Sequence, residues 1–129
     1  MTKVVVPIAL GVVLLVTAGI LAARTRAFVR MASAAPGVVE GLNAGGSHPQ
    51  IGFTTAAGAR VSYAQGGLIF GYRPGQPVRV LFDPADPERT ARVDAFGVLW
   101  FDVLGLSFIG LISSIIGLSA VLKLLSTRA

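Results

Sequence analysis

Two stretches of this chain carry no charge at all over the length of a bilayer crossing: residues 4–23 (VVVPIALGVVLLVTAGILAA) and 103–122 (VLGLSFIGLISSIIGLSAVL). A helix needs about 20 apolar residues to span the hydrocarbon core. Lipid offers backbone amides no partner, so a segment of this kind must satisfy its own hydrogen bonds as a helix. Both stretches are therefore predicted to be transmembrane helices. The overall balance agrees, since 53% of the 129 residues are hydrophobic and only 13% are charged, too apolar for a soluble domain of this size. Lys3 before the first stretch and Leu21-Ala22-Ala23 near its end resemble a secretory signal. The apolar run exceeds the roughly 7 to 15 residues of a signal core and three arginines follow it, so an uncleaved anchor is expected.

The net charge of +5 raises the question of nucleic acid. Between the two stretches, Arg60, Arg73, Arg79, Arg89 and Arg92 balance Glu40, Asp83, Asp86, Glu88 and Asp94. The excess sits instead at the stretch ends, on Lys3, Arg24, Arg26, Arg30, Lys123 and Arg128, with Asp102 removing one charge. Lysine and arginine at those places meet lipid headgroups. Without a basic patch on the polar part, nucleic acid is excluded as a partner. Lys3, Arg24, Arg26, Arg30, Trp100 and Lys123 are read as membrane-interface anchors, and the bilayer as the first partner. Three arginines fall short of the roughly 4 to 8 bases of a specific lipid-binding cluster.

The middle alternates apolar and polar residues and is often broken by Gly and Pro. Strands are predicted at GVVEGL (37–42), QIGFTT (50–55), RVSYA (60–64), PVRVLF (77–82) and 91–93, with a hairpin loop at 56–58 and a turn over 72–76. The predicted fold class is membrane α+β. Residues 4–23 form the first span, 24–36 a basic juxtamembrane segment and 37–97 a small all-β domain of four to five strands, curled or a partial barrel. Residues 98–122 form the second span, with 103–122 in hydrocarbon, and 123–129 a polar tail. In the second span Gly110, Ser113, Ser114 and Gly117 recur at intervals of three and four, a small-residue stripe suited to close helix packing. Gly11, Ala18, Gly19, Ala22 and Ala23 answer it in the first. The stripe serves either the two spans of one chain or another protomer or membrane protein.

The stretch FDPADPER crowds Asp83, Asp86 and Glu88 together. As a metal site, Asp83, Asp86 and Asp94 would be hard oxygen ligands, yet the alternating ligands, glycine and distal glutamate of a Ca²⁺ loop are missing. As a turn, every residue has a role. Each Asp precedes a proline that pushes it out of the helical region, and each carboxylate can accept from a backbone N–H two residues on. Tyr72, Gly75, Asp83, Pro84, Asp86 and Pro87 are accordingly read as a structural motif. With no cysteine and a single histidine, His48, neither a thiol nucleophile nor a zinc site can be assembled. No catalytic residue, metal ligand or cofactor is expected.

The tract YRPGQPVRVLFDPADPERTARVD, after GVVEGL and HPQIGFTTAAG and between two spans with arginines after the first, resembles the bacterial membrane family catalogued as domain of unknown function 3592. Tyr72, Gly75, Gln76, Val78, Val80, Asp83, Pro84, Asp86, Pro87, Ala91, Val93 and Asp94 carry the likeness. The resemblance implies a small β domain held by two transmembrane helices and no established activity.

These readings lead to a non-enzymatic protein of the bacterial inner membrane that presents a β domain for protein contact or an envelope accessory role. An immunity or accessory role beside a secreted toxin is one alternative; a metal-assisted membrane hydrolase using Asp83, Asp86 and His48 is another. Arg24, Arg26, Arg30, Arg89 and Arg92 outnumber Lys3, Lys123 and Arg128, so the positive-inside rule predicts a cytoplasmic β domain.

Overall fold

The computed structural model describes residues 1–43, 45, 48–67 and 69–129. In chain order the elements are α1 (Thr2–Met31), β1 (Ser33–Leu42), β2 (Pro49–Thr54), β3 (Arg60–Ala64), β4 (Pro77–Phe82), α2 (Pro87–Thr90), β5 (Arg92–Val93), α3 (Phe96–Leu99) and α4 (Phe101–Arg128). Two long apolar helices thus flank a five-stranded antiparallel sheet that curls into a half-barrel. The chain forms two compact units, Met1–Ala23 with Asp102–Ala129, and Arg24–Phe101.

In the first unit the helices of 30 and 28 residues are both long and apolar enough to cross a membrane. Their outer faces leave Val12, Val16, Ile20, Phe108, Ile112 and Ile116 exposed. A continuous apolar surface of this kind marks a membrane or partner contact rather than a solvated one. Pro7 lies inside α1, where its missing N–H and its ring disturb one turn of the ladder.

The second unit is built around β1, whose first half pairs with β4 (Ser33 opposite Phe82 to Val38 opposite Pro77) and whose second half pairs with β2 (Gly37 opposite Phe53 to Leu42 opposite Pro49). β3 joins the far side of β2 and β5 the far side of β4, giving the order β3-β2-β1-β4-β5. Alternation sends Val39, Ile51, Phe53, Val61, Val80, Phe82 and Val93 into one buried core, with Tyr63 and Val78 half-buried at its margin. The Phe53 ring meets Phe82 at 5.1 Å and the edge of Tyr63 at 6.3 Å, separations at which aromatic pairs attract beyond their burial.

The structure departs from the sequence reading in several places. α1 continues to Met31, because Arg24–Met31 contains neither Gly nor Pro to stop it; the basic juxtamembrane segment 24–36 is helix as far as Met31 and strand from Ser33. β1 begins at Ser33, four residues before Gly37, and includes Pro36. The ladder to β2 starts only at Gly37, so Pro36 has β4 alone beside it and its missing donor is tolerated. Leu81, which alternation assigns to the outer face with Arg79, is also buried.

The curled sheet is held across its open side by Gln65, a residue that no local sequence pattern singles out. Gln65 is buried; its Oε1 accepts from the Val93 N–H at 2.9 Å and from the Tyr63 hydroxyl at 3.0 Å, and its Nε2 donates to the Gly66 carbonyl at 2.9 Å. Burial pushes the Tyr63 phenol well above its ordinary pKa, with Tyr72 adding to the shift, so the hydroxyl stays protonated as the donor. Replacing Gln65→Ala orphans the Val93 amide and should cost about 1–3 kcal/mol in denaturant unfolding of the detergent-solubilised chain. Arg73→Ala, an exposed turn residue in no ion pair among the described residues, is the control, expected within about 0.5 kcal/mol of the parent. Equal stability of the two variants would remove Gln65 from this role.

Candidate interaction surface

The aspartate-proline tract leaves β4 through hydrogen bonds that account for its residues. Asp83 Oδ1 accepts from the Ala85 N–H at 2.9 Å, the Asp83 N–H donates to Thr90 Oγ1 at 2.8 Å, and the Asp86 N–H donates to the Asp83 carbonyl at 3.0 Å. Pro87 then opens α2, where a missing N–H costs little. Asp86 departs from the expected pattern: its φ of −148° and ψ of 70° place its carboxylate away from the N–H two residues on, and no side-chain cap bond forms. The Asp86 carbonyl instead accepts from the Thr90 hydroxyl at 2.6 Å. Upstream, Pro74 and Gly75 form a turn closed by Gln76 N–H to the Arg73 carbonyl at 3.0 Å. Gly75 has φ +85°, which a side chain would strain. Its N–H donates to the Val39 carbonyl at 2.7 Å, tying the turn to β1, while Tyr72 packs half-buried on the core.

Asp94 lies 3.5 Å from Arg79 and Asp86 lies 4.0 Å from Arg89, so these carboxylates pair with arginines. Among the described residues no three of His, Cys, Asp and Glu gather as metal ligands. His48 is exposed just ahead of β2.

The outer face of β1, β2 and β3 carries a polar array that sequence reading missed. The register between β1 and β2 slips between Val39 and Gly41, making Glu40 a bulge residue that twists out of the ladder. Its side chain crosses β2 above Gly52, where an added Cβ would overlap the carboxylate. It then pairs with Arg60 and accepts from Ser62 Oγ at 2.7 Å, both on β3. Gln50 Nε2 donates to Ser62 Oγ at 2.8 Å, and Asn43 Nδ2 to Gln50 Oε1 at 3.3 Å. The Ser62 hydroxyl and the Arg60 guanidinium hold the Glu40 carboxyl below its ordinary pKa. A depressed carboxyl adds stability above its unfolded pKa and loses it as pH falls through the folded value. Urea unfolding of the parent and of Glu40→Gln at a series of pH values should therefore show a gap that closes on acidification; a gap constant through the acid range would contradict this.

In the helical unit, the small-residue stripe of α4 faces α1 of the same chain. A Cβ at Gly110 would stand 3.1 Å from Leu14 Cβ and 3.2 Å from the Gly11 carbonyl, and one at Gly117 would overlap Ile8. Ser113 Oγ donates to the Pro7 carbonyl at 2.8 Å, while Ser114 Oγ donates back to the Gly110 carbonyl at 2.9 Å. Backbones this close need small residues. Gly19, named in the sequence reading, faces open space. Gly117→Leu should lower the unfolding free energy of the helical unit by about 1–3 kcal/mol through overpacking, with Gly19→Leu near the parent; thermal unfolding in detergent that ranks them the other way would sink this packing.

Lys3 and Lys123 line one cleft, described below. Arg24, Arg26 and Arg30 are exposed on α1 and belong to no ion pair among the described residues. Trp100 is half-buried at the break between α3 and α4, its N–H donating to the Phe96 carbonyl at 3.0 Å. Asp102, read as an interfacial residue or an N-cap, lies within the first turn of α4, where its charge complements the helix dipole.

No family model matches the chain, and no solved structure matches it. Among curated proteins, the immune protein Tsi4 of Pseudomonas aeruginosa strain PAO1 is 45% identical over 119 residues, which cover 92% of this chain and 82% of that protein. Likeness of that extent includes the helices as well as the sheet, and the chain belongs to the family of the immune protein Tsi4.

Proposed function

We propose that this chain is a non-enzymatic immunity protein of the bacterial inner membrane, protecting its cell from a secreted toxin by presenting the β domain for protein contact. The observation that carries the reading is the 45% identity to a protein named for immunity, over nearly the whole chain. Membrane residence is supported by two helices of sufficient length and apolarity and by bases clustered at their ends. The excess of arginine on the domain side favours a cytoplasmic β domain. A small β domain held by two transmembrane helices is also what the resemblance to the domain of unknown function 3592 family implies.

Within the β domain, the outer face of β1, β2 and β3 is the favoured contact surface. Glu40, Arg60, Ser62 and Gln50 already hold one another in place, so binding through them freezes fewer side chains than binding through loose ones.

A strain deleted for this chain should be outcompeted by its parent in contact-dependent co-culture, and plasmid expression of the chain should restore parity. Parity without the plasmid would overturn the immunity reading. Carbonate washing should leave the protein in the membrane fraction, and a C-terminal reporter active only outside the cytoplasm should report activity. Arg60→Glu should abolish rescue at unchanged membrane level; full rescue would overturn the assignment of this face alone.

A further inference from the structure

The N-terminal end of α1 and the C-terminal end of α4 line an open cleft of about 540 Å³. Its polar lining includes Lys3, Lys123, Thr2 and Thr127, and its apolar wall includes Val4 and Leu124. Two ammonium groups share one cleft that contains no acidic residue. The helical unit has one acid, Asp102, in the first turn of α4, about 30 Å along the helix from Lys123 at 1.5 Å per residue. No acidic side chain of the unit lies near these lysines to pair with them.

Position points to what could pair with them. Lys3 immediately precedes the first charge-free run and Lys123 immediately follows the second, so both lie where hydrocarbon gives way to headgroups if the helices cross a bilayer. Lysine stems lie along apolar surface while their ammonium groups reach toward phosphate. Beyond the cleft the apolar wall continues onto the exposed Val5, Val6 and Leu125, a surface suited to acyl chains. A phosphate at the lysines with hydrocarbon along the helices describes a lipid better than a free anion. The volume falls within the range of small-molecule sites.

We propose that this cleft binds the headgroup phosphate of an anionic phospholipid, with Lys3 and Lys123 as its charge partners. The proposal rests on the reading that α1 and α4 cross a bilayer.

Native mass spectrometry of the full chain released from detergent, titrated separately with phosphatidylglycerol, phosphatidylcholine and inorganic phosphate, tests it. One phosphatidylglycerol should bind in preference to phosphatidylcholine. The pair Lys3→Gln and Lys123→Gln should weaken that binding by at least about tenfold, and the triple change Arg24→Gln, Arg26→Gln and Arg30→Gln should weaken it less. Equal retention of both lipids, or an unaltered affinity in the lysine variant, would overturn the site. Displacement of the lipid by millimolar phosphate would overturn the lipid as occupant, as would a dimer that dissociates in the lysine variant. Carbonate washing of the parent separates the two readings: protein retained in membranes without selective lipid binding defeats this site alone, whereas protein washed free defeats the membrane reading itself.

Discussion

Strand β1 is paired on both sides, to β4 along its first half and to β2 along its second, and the rest of the β domain hangs from that arrangement. The staggered pairing lets the sheet curl, since neither neighbour runs the full length of β1. It puts Val39 opposite Ile51 and Ala35 opposite Val80, which brings both flanks of the sheet into one core. The slip at Glu40 adds local twist and lifts that carboxylate across β2 to β3. Core and outer polar array are consequences of one strand's register.

On the reading that α1 and α4 cross a bilayer, the helical unit solves a different problem, because lipid provides no hydrophobic drive to push two apolar helices together. Contact must come from shape and a few polar bonds. Gly11, Gly110 and Gly117 remove the side chains that would hold the backbones apart. The bond from Ser113 to the Pro7 carbonyl then links α4 to the turn of α1 that proline disturbs.

Much of this was legible in the sequence because it depends on local periodicity. Uncharged runs marked the helices, and alternation in QIGFTT, RVSYA and PVRVLF marked three strands close to their observed bounds. The first part of β1 was hidden because Ala34, Ala35 and Pro36 have little intrinsic preference for strands, and cross-strand pairing decided their conformation. The absence of charge marked the apolar span but assigned no structure to the basic segment after it; α1 runs on through that segment to Met31, and arginine is a good helix former. Gln65 and the Glu40–Arg60–Ser62 array depend on register between residues far apart in the chain, which no local pattern encodes. The α4 stripe and its partner Gly11 were visible, but the contact of Gly117 with Ile8 emerges only from the packed helices.

The bond from the Val93 amide to Gln65 joins residues on opposite flanks of the sheet. During synthesis β1 to β4 can pair as soon as Phe82 has left the ribosome, but the buried amide of Gln65 has no Val93 to receive until β5 follows. The half-barrel is therefore completed late, and α4 begins at Phe101, shortly after Val93. Closure of the sheet and delivery of the second apolar helix are separated by little more than α3. A chain held with Phe82 emerged but Val93 not would have a sheet whose core still lacks Ala91 and Val93 and whose flanks are not yet latched.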